Sequence, residues 1–396
     1  MEAHKELFRR SIATNRSELR NICWNGIPDV YRAEAWQILI GYLPSDGAKR
    51  TETLKQKRKE YSSLLSNTCW DPSVKSEEGT PVLGQVQKDI PRTAPDLPLF
   101  RNKRVQSRLE RMLYVWAWRH PATSYVQGMN DIVVPFFIVF LKSHCKEGEI
   151  SFSDENLDHV EADCYWCLSK IMSSIQDHYI PGQLGIHKMI SHLEDLISHV
   201  NYELYQHITK NGIEVIHFAF RWMNCLLVRE LPHRCVLRLF DTYLSEEDGF
   251  NDFHVYVCAA FLNSFSSKLI KLEHDGILEF LTHIPAEEIS QSGVELMLSQ
   301  AHVWRELYKG SGAHLMCSRQ IQRKKISNAP DKTSKRFYVS NPMVDAMFSS
   351  SVQLYKEFMQ PQKVQDSDDS SAVTFNEQEI FTRASLMADV DFLCYS

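Results

Sequence analysis

The stretch RVQSRLERMLYVWAWRHP, Arg104 to Pro121, decides the architecture. Its apolar residues Val105, Leu109, Met112 and Trp116 recur at intervals of four, three and four, the period of one face of an α-helix rather than the alternation of a strand. His120-Pro121 closes the segment, because a proline cannot continue helical hydrogen bonding and restricts the residue before it. The same spacing returns in Cys164, Leu168, Ile171 and Ile175, and again in Ile186, Ile190, Leu193 and Ile197. Each stripe predicts a helix with one face in a shared core. Ile180-Pro181-Gly182, Asn211-Gly212, Leu231-Pro232 and Gly310-Ser311-Gly312 separate the segments with turn chemistry. From Arg20 to about Lys309 the chain reads as a succession of amphipathic helices without a fixed repeat, an all-α fold in one large domain.

Composition points the same way. Glycine and proline together are about 8% of the 396 residues, against a usual value near 12%, and so few breakers favour helix. Apolar residues make up 43% and charged residues 24%, which is globular composition and too hydrophobic for global disorder. Lys and Arg number 44 against 50 Asp and Glu, a net charge of −6, which disfavours a reader of DNA or RNA. The longest apolar run, Ile132 to Leu141, is about half of the roughly 20 residues that span a bilayer, so no transmembrane helix is expected. The N-terminal MEAHKELFRRSIATNRSELR lacks the apolar core of a secretory signal, and the ten scattered cysteines read as buried free thiols; a cytosolic chain is expected. Beyond Gly312 the pattern weakens into Ser, Asp, Lys and Pro, which predicts a mostly flexible tail over 311–396 with short helices at 342–359 and 376–393. Arg323-Lys324-Lys325 before Ser327, and Arg383 before Ser385, are candidate phosphorylation or adaptor-docking positions, or solvated charge on that tail.

Two stretches resist the helical pattern. Val82 to Pro98, VLGQVQKDIPRTAPDLP, carries Pro91, Pro95 and Pro98, which should push Ile90, Ala94 and Leu97 toward extended backbone and make a stiff loop. Arg92 lies within it, three residues after Asp89, a carboxylate near enough to hold the guanidinium. A rigid loop presenting one Arg suits an electrostatic contact with a charged ligand, since little entropy is lost on engagement. On loop chemistry alone a surface ion pair is the plainer reading. The second stretch, PATSYVQGMND (Pro121 to Asp131), holds Gln127 next to Gly128, whose missing Cβ permits close approach of another backbone or a ligand. Taken alone, Gln127 reads more simply as a loop glutamine that satisfies nearby backbone.

Together the two loops resemble a known family. WNGIPDVY followed by Arg32, Trp36 and Leu39, then VQKDIPRT, then YVQGMND, are similar to the three signature blocks of the TBC domain, the helical GTPase-activating module for Rab proteins. Glu161-Ala162-Asp163, Phe220-Arg221-Trp222, Arg229-Glu230 and Leu239-Phe240-Asp241 follow in the same order, and DIPRT, RVQSRLERMLY and HVYVCAAFL are similar to the branch called TBC domain family member 22. The resemblance runs from about Leu19 to Leu307. It implies a domain over 19–310 after a short lead at 1–18, with Arg92 as arginine finger, Gln127 as glutamine finger, and Asp89 and Tyr125 in support. Val86 stands where the family usually has Ile, and Phe240 where it usually has Trp. The tail after Gly312 resembles nothing in the family, and the longer N-terminal region of this branch is not expected in a chain that begins almost at the domain.

The implied chemistry is trans-activation of GTP hydrolysis, with Arg92 supplying charge to the γ-phosphate oxygens and Gln127 orienting the attacking water. An arginine finger is typically worth 10³ to 10⁵ in rate, about 4 to 7 kcal/mol of barrier. The implied partner is a Rab-family GTPase that carries GTP and Mg itself, so no cofactor or metal of this chain's own is expected. A peripheral role at endomembrane surfaces follows through that partner, the Golgi being a first guess. The rival is a TBC-fold scaffold or Rab effector that binds without accelerating hydrolysis. Cys164 and Cys167 form a CxxC with neither a second CxxC nor a His pair, inside an apolar helical pattern, and read as core. Trp24, Trp36, Trp116, Trp118, Trp166 and Trp222 read as core in most cases.

Overall fold

The computed structural model describes residues 16–68, 81–144, 153–180, 182–285 and 288–308, and every regular element among them is helical. α1 (Arg16–Cys23), α2 (Asp29–Leu39), α3 (Gly47–Asn67) and α4 (Pro81–Asp89) come first, and two 3₁₀ turns, Ile90–Arg92 and Pro98–Arg101, lead to α5 (Lys103–Arg119). Then follow α6 (Met129–Ser143), α7 (Asp154–Ser174), α8 (Leu184–Val200), α9 (Tyr202–Lys210) and α10 (Ile216–Asn224). α11 (His233–Ser245), α12 (Asp252–Ser264), the single turn α13 (Ser266–Leu269), α14 (His274–Thr282) and α15 (Gln291–Tyr308) complete the order. Starts and stops follow local chemistry: Asp46, Asn102 and Ser153 side chains accept from the first-turn N–H groups of α3, α5 and α7, and α5 ends at His120 before Pro121. The predicted tail with its short helices and basic positions, and most of the N-terminal lead, lie outside the described residues.

All three four-three-four stripes are buried, on α5, on α7 with its C-cap, and on α8. Two helices differ from them in being buried almost all round. α6 buries Met129 to Phe137 and Val139 to Leu141, and α12 buries Phe253 to Leu262, so neither needs a polar face. α6 packs against α2, α7 and α11, while α12 packs against α8, α10 and α15. The surrounding helices are tied by buried carboxylates, each paired with cations or donors. Asp241 accepts from Trp36 Nε1 at 2.7 Å, Ile27 N at 2.9 Å and Arg32 Nε at 3.1 Å. Asp163 accepts from Arg58 Nη2 and Tyr42 Oη, each at 2.7 Å, and Glu161 from Tyr61 Oη at 2.6 Å and Arg111 Nε at 2.7 Å. Arg221 grips Glu230 through two contacts of 2.6 and 2.7 Å. Arg32, Glu161, Asp163, Arg221, Glu230 and Asp241, charged residues of the sequence blocks outside the two loops, thus hold the scaffold together.

Three expectations need correction. Val82 to Asp89 is helix rather than loop, because Leu83, Val86 and Ile90 form a buried stripe of their own and Pro81 sits at the helix start, where its missing N–H costs nothing. Ile90 opens a 3₁₀ turn, and Ala94 has φ 43°, so neither is extended; of the three pre-proline residues only Leu97, at φ −97° and ψ 114°, is. Trp118 is half exposed, whereas Trp36, Trp116 and Trp222 are core and Trp24 and Trp166 are partly buried against it.

Candidate functional site

Asp89 closes α4 and is fully buried, and the 3₁₀ turn that follows brings Arg92 back over it. Arg92 donates from Nε at 3.0 Å and from Nη2, both to Asp89 Oδ1, while its side chain remains 59% exposed. The hydrogen bonds to Asp89 hold the guanidinium above its ordinary pKa, so it is a permanent cation. The other carboxylate oxygen, Oδ2, accepts from Tyr125 Oη at 2.8 Å and from Gln85 Nε2 at 3.2 Å. Burial, and then the adjacent Asp89 charge, pushes the Tyr125 phenol well above its usual range, which keeps it a proton donor to the carboxylate.

The second loop is fastened to the same point. Tyr125 Oη also lies 3.0 Å from Oδ1 of buried Asn130, whose Nδ2 donates at 3.0 Å to Thr93 Oγ1. Thr93 Oγ1 in turn donates to the Asp89 carbonyl at 3.0 Å. Gly128 caps α6 at φ 111°, a backbone that L side chains rarely adopt, and its N–H donates to Asn130 Oδ1 at 3.0 Å. α6 therefore begins at Met129, three residues before the apolar run. Gln127, immediately before Gly128, is exposed, and its side chain makes no hydrogen bond among the described residues.

The structure thus joins Arg92, Asp89 and Tyr125 in one hydrogen-bonded cluster and attaches Gln127 to it through backbone alone. Thr93 and Asn130 complete the cluster and were not foreseen. Asn130 carried a readable signal, since an Asx side chain close after a glycine often turns back to nearby backbone N–H. Arg92 also lines a cleft of about 530 Å³. Val134, Pro135 and Ile138 of α6 line it too, together with Arg229 and His233. Asp131, another lining residue, is pushed up to about 6 by burial, which outweighs the opposing pull of Arg229 and of a hydrogen bond from Cys225. Cys164 and Cys167 are buried in α7 with their thiols pushed up by desolvation, and among the described residues no group of three or more His, Cys, Asp or Glu side chains is placed to hold a metal ion.

A family model described as the Rab-GTPase-TBC domain matches residues 29–270. The GTPase-activating protein gyp1 of Schizosaccharomyces pombe is 44% identical over 305 residues, covering 75% of this chain and 59% of the relative. TBC1 domain family member 22B of Homo sapiens is 40% identical over 318 residues, covering 78% of this chain and 63% of the relative. The chain spans about three fifths of the length of these relatives. Among solved structures, the crystal structure of the Ypt/Rab-GAP domain of Gyp1p superposes with a TM-score of 0.72 at 40% identity, covering 77% of this chain and 98% of that one.

Proposed function

The chain belongs to the Rab-GTPase-TBC domain family, and from that membership we propose that it is a GTPase-activating protein for a Rab-family small GTPase, supplying Arg92 and Gln127 in trans. The observation that carries the reading is a pair of exposed polar side chains, Arg92 and Gln127, on loops joined beneath them by Asp89, Tyr125, Asn130 and Thr93. GTP hydrolysis needs positive charge on the γ-phosphate oxygens and a water aligned for attack, and a small GTPase alone supplies both poorly. Arg92 provides the charge and Gln127 the alignment, from loops whose ordering costs little at the moment of engagement. Asp89 and Tyr125 act as positioning residues. The nucleotide and its Mg belong to the partner. A relative named GTPase-activating protein at 44% identity supports the same activity. A scaffold that binds without catalysis has no chemical use for two exposed fingers, so the activator is the stronger reading. The chain works in the cytoplasm and reaches endomembrane surfaces through its lipid-anchored partner, with the tail as a candidate adaptor-binding segment.

The test is stimulated phosphate release from a panel of GTP-loaded Rab GTPases. Arg92→Ala should lower the rate on the responsive member by about 10³-fold or more while the melting temperature stays unchanged. Arg92→Lys should recover little, because an ammonium cannot reproduce the planar multi-donor contact. Loss of activity together with a collapsed melting temperature would make Arg92 a structural residue and sink the assignment.

A further inference from the structure

The peptide unit between Gln127 and Gly128 is held at both of its polar atoms. Its N–H donates to Asn130 Oδ1, as described, and its carbonyl, Gln127 O, accepts from Asn224 Nδ2 at 2.8 Å. Asn130 is a neighbour in sequence, but Asn224 comes from the last position of α10, 97 residues away. The amide orientation of Asn224 is settled by its partner, since a carbonyl oxygen can only face the N–H side. The fit is close: a Cβ at position 128 would lie 2.3 Å from Asn224 Nδ2.

Asn224 is itself held in place. Tyr179 Oη donates to its carbonyl at 2.7 Å. One residue further on the chain turns through Leu226 and Leu227, at φ 53° and 59°, two successive left-handed residues that are not glycine. Such backbone costs of order 1–3 kcal/mol per residue and persists only where packing over-determines it; here both leucine side chains are fully buried. Asn224 is 7% exposed, and its Oδ1 has no hydrogen-bond partner among the described residues. Of its two side-chain polar atoms only Nδ2 has partners among these residues, the Gln127 carbonyl and, at 3.9 Å, Cys225 Sγ, so the side chain's polar bonding is directed at the Gln127 loop.

We propose that Asn224 is a positioning residue for Gln127: it fixes the Gln127 carbonyl, and through it the direction in which the exposed side chain meets the GTPase-bound water. This rests on the reading of Gln127 as a finger. Asn224→Leu removes the donor while keeping a branched side chain of four heavy atoms, at a somewhat larger volume. Asn224→Ala, which cannot clash, serves as the second variant should the leucine not fold.

Two measurements test it. Hydrogen exchange of the Gly128 amide should accelerate at least severalfold in either variant, while exchange across α12 is unchanged. Single-turnover hydrolysis at saturating activator, on the Rab GTPase that responds best in the panel, should fall by about tenfold, with KM altered by less than about twofold. In the Gln127→Ala background the same substitution should have no further effect, because a merely structural role would subtract equally from both backgrounds. Unchanged exchange at Gly128, an equal loss in both backgrounds, or a loss confined to KM would each overturn the proposal. If exchange rises but Gln127→Ala is itself fully active, the finger reading fails and the role of Asn224 fails with it. If Arg92→Ala and Gln127→Ala are both inactive while Asn224→Leu and Asn224→Ala behave as wild type, only the Asn224 inference is lost.

Discussion

Asp131 stands in the first turn of α6, where helix N–H groups favour a carboxylate, and yet burial raises its pKa from 3.8 to about 6. A carboxyl whose folded value lies above its unfolded value binds its proton more tightly in the folded state. The stability it contributes is therefore present below about pH 4 and lost as pH rises through about 6, and above that the buried charge is a burden of about 2 to 3 kcal/mol. Asp131→Asn removes the titration while keeping an acceptor for the Cys225 thiol. Its melting temperature should exceed that of the wild type by about 5 °C at pH 7.5 and match it at pH 4. A difference independent of pH would show that Asp131 does not titrate across this window. A chain that keeps a costly ionised group beside Arg92 is spending stability at the place where the partner is expected to dock.

Gly128 shows what a single backbone requirement does to an element. Gly128→Ala meets both a positive φ and the Asn224 amide, and should cost on the order of 3 kcal/mol. Gly212, at φ 73° with nothing within 4 Å of its would-be Cβ, isolates the conformational part, so Gly212→Ala should cost only about 1 kcal/mol. Urea denaturation of the two variants measures the difference, and equal midpoints would mean that Asn224 moves aside freely. The helices were legible in the sequence wherever the signal was local. The four-three-four stripes of α5, α7 and α8 need only neighbouring residues, as does the three-residue step from Asp89 to Arg92. α4 is the exception, because three downstream prolines outweigh the shorter stripe of Leu83, Val86 and Ile90. Tyr125 against Asp89, 36 residues apart, and Asn224 against Gln127, 97 apart, were not legible, since no periodicity connects residues that only tertiary packing brings together.

Among the described residues, most of the groups that hold the scaffold are separate from those that face outward. Asp241 ties α11 to Arg32 and Trp36 of α2, and Asp241→Ala would leave the buried Trp36 indole N–H and the Ile27 N–H unpaired and reduce the partly buried Arg32 guanidinium to Asp29 and the Ile27 carbonyl. A loss of about 2 to 4 kcal/mol is expected, read as a shift of the guanidinium chloride midpoint, whereas Arg92→Ala should shift it much less, because Arg92 is mostly exposed and Asp89 keeps its Tyr125 and Gln85 donors. A shift below about 1 kcal/mol would show that water or another carboxylate takes over. Asp89 belongs to both groups, because its one carboxylate receives donors from the Arg92 loop and from the Tyr125 loop. The two loops are therefore arranged once, when the chain folds, and not anew with every partner. Ordering free loops would cost about 1 to 2 kcal/mol for each residue fixed, and would insert a rearrangement between encounter and reaction. With the rearrangement already made, the pace of each encounter is set by diffusion and by how often two surfaces meet in the right orientation.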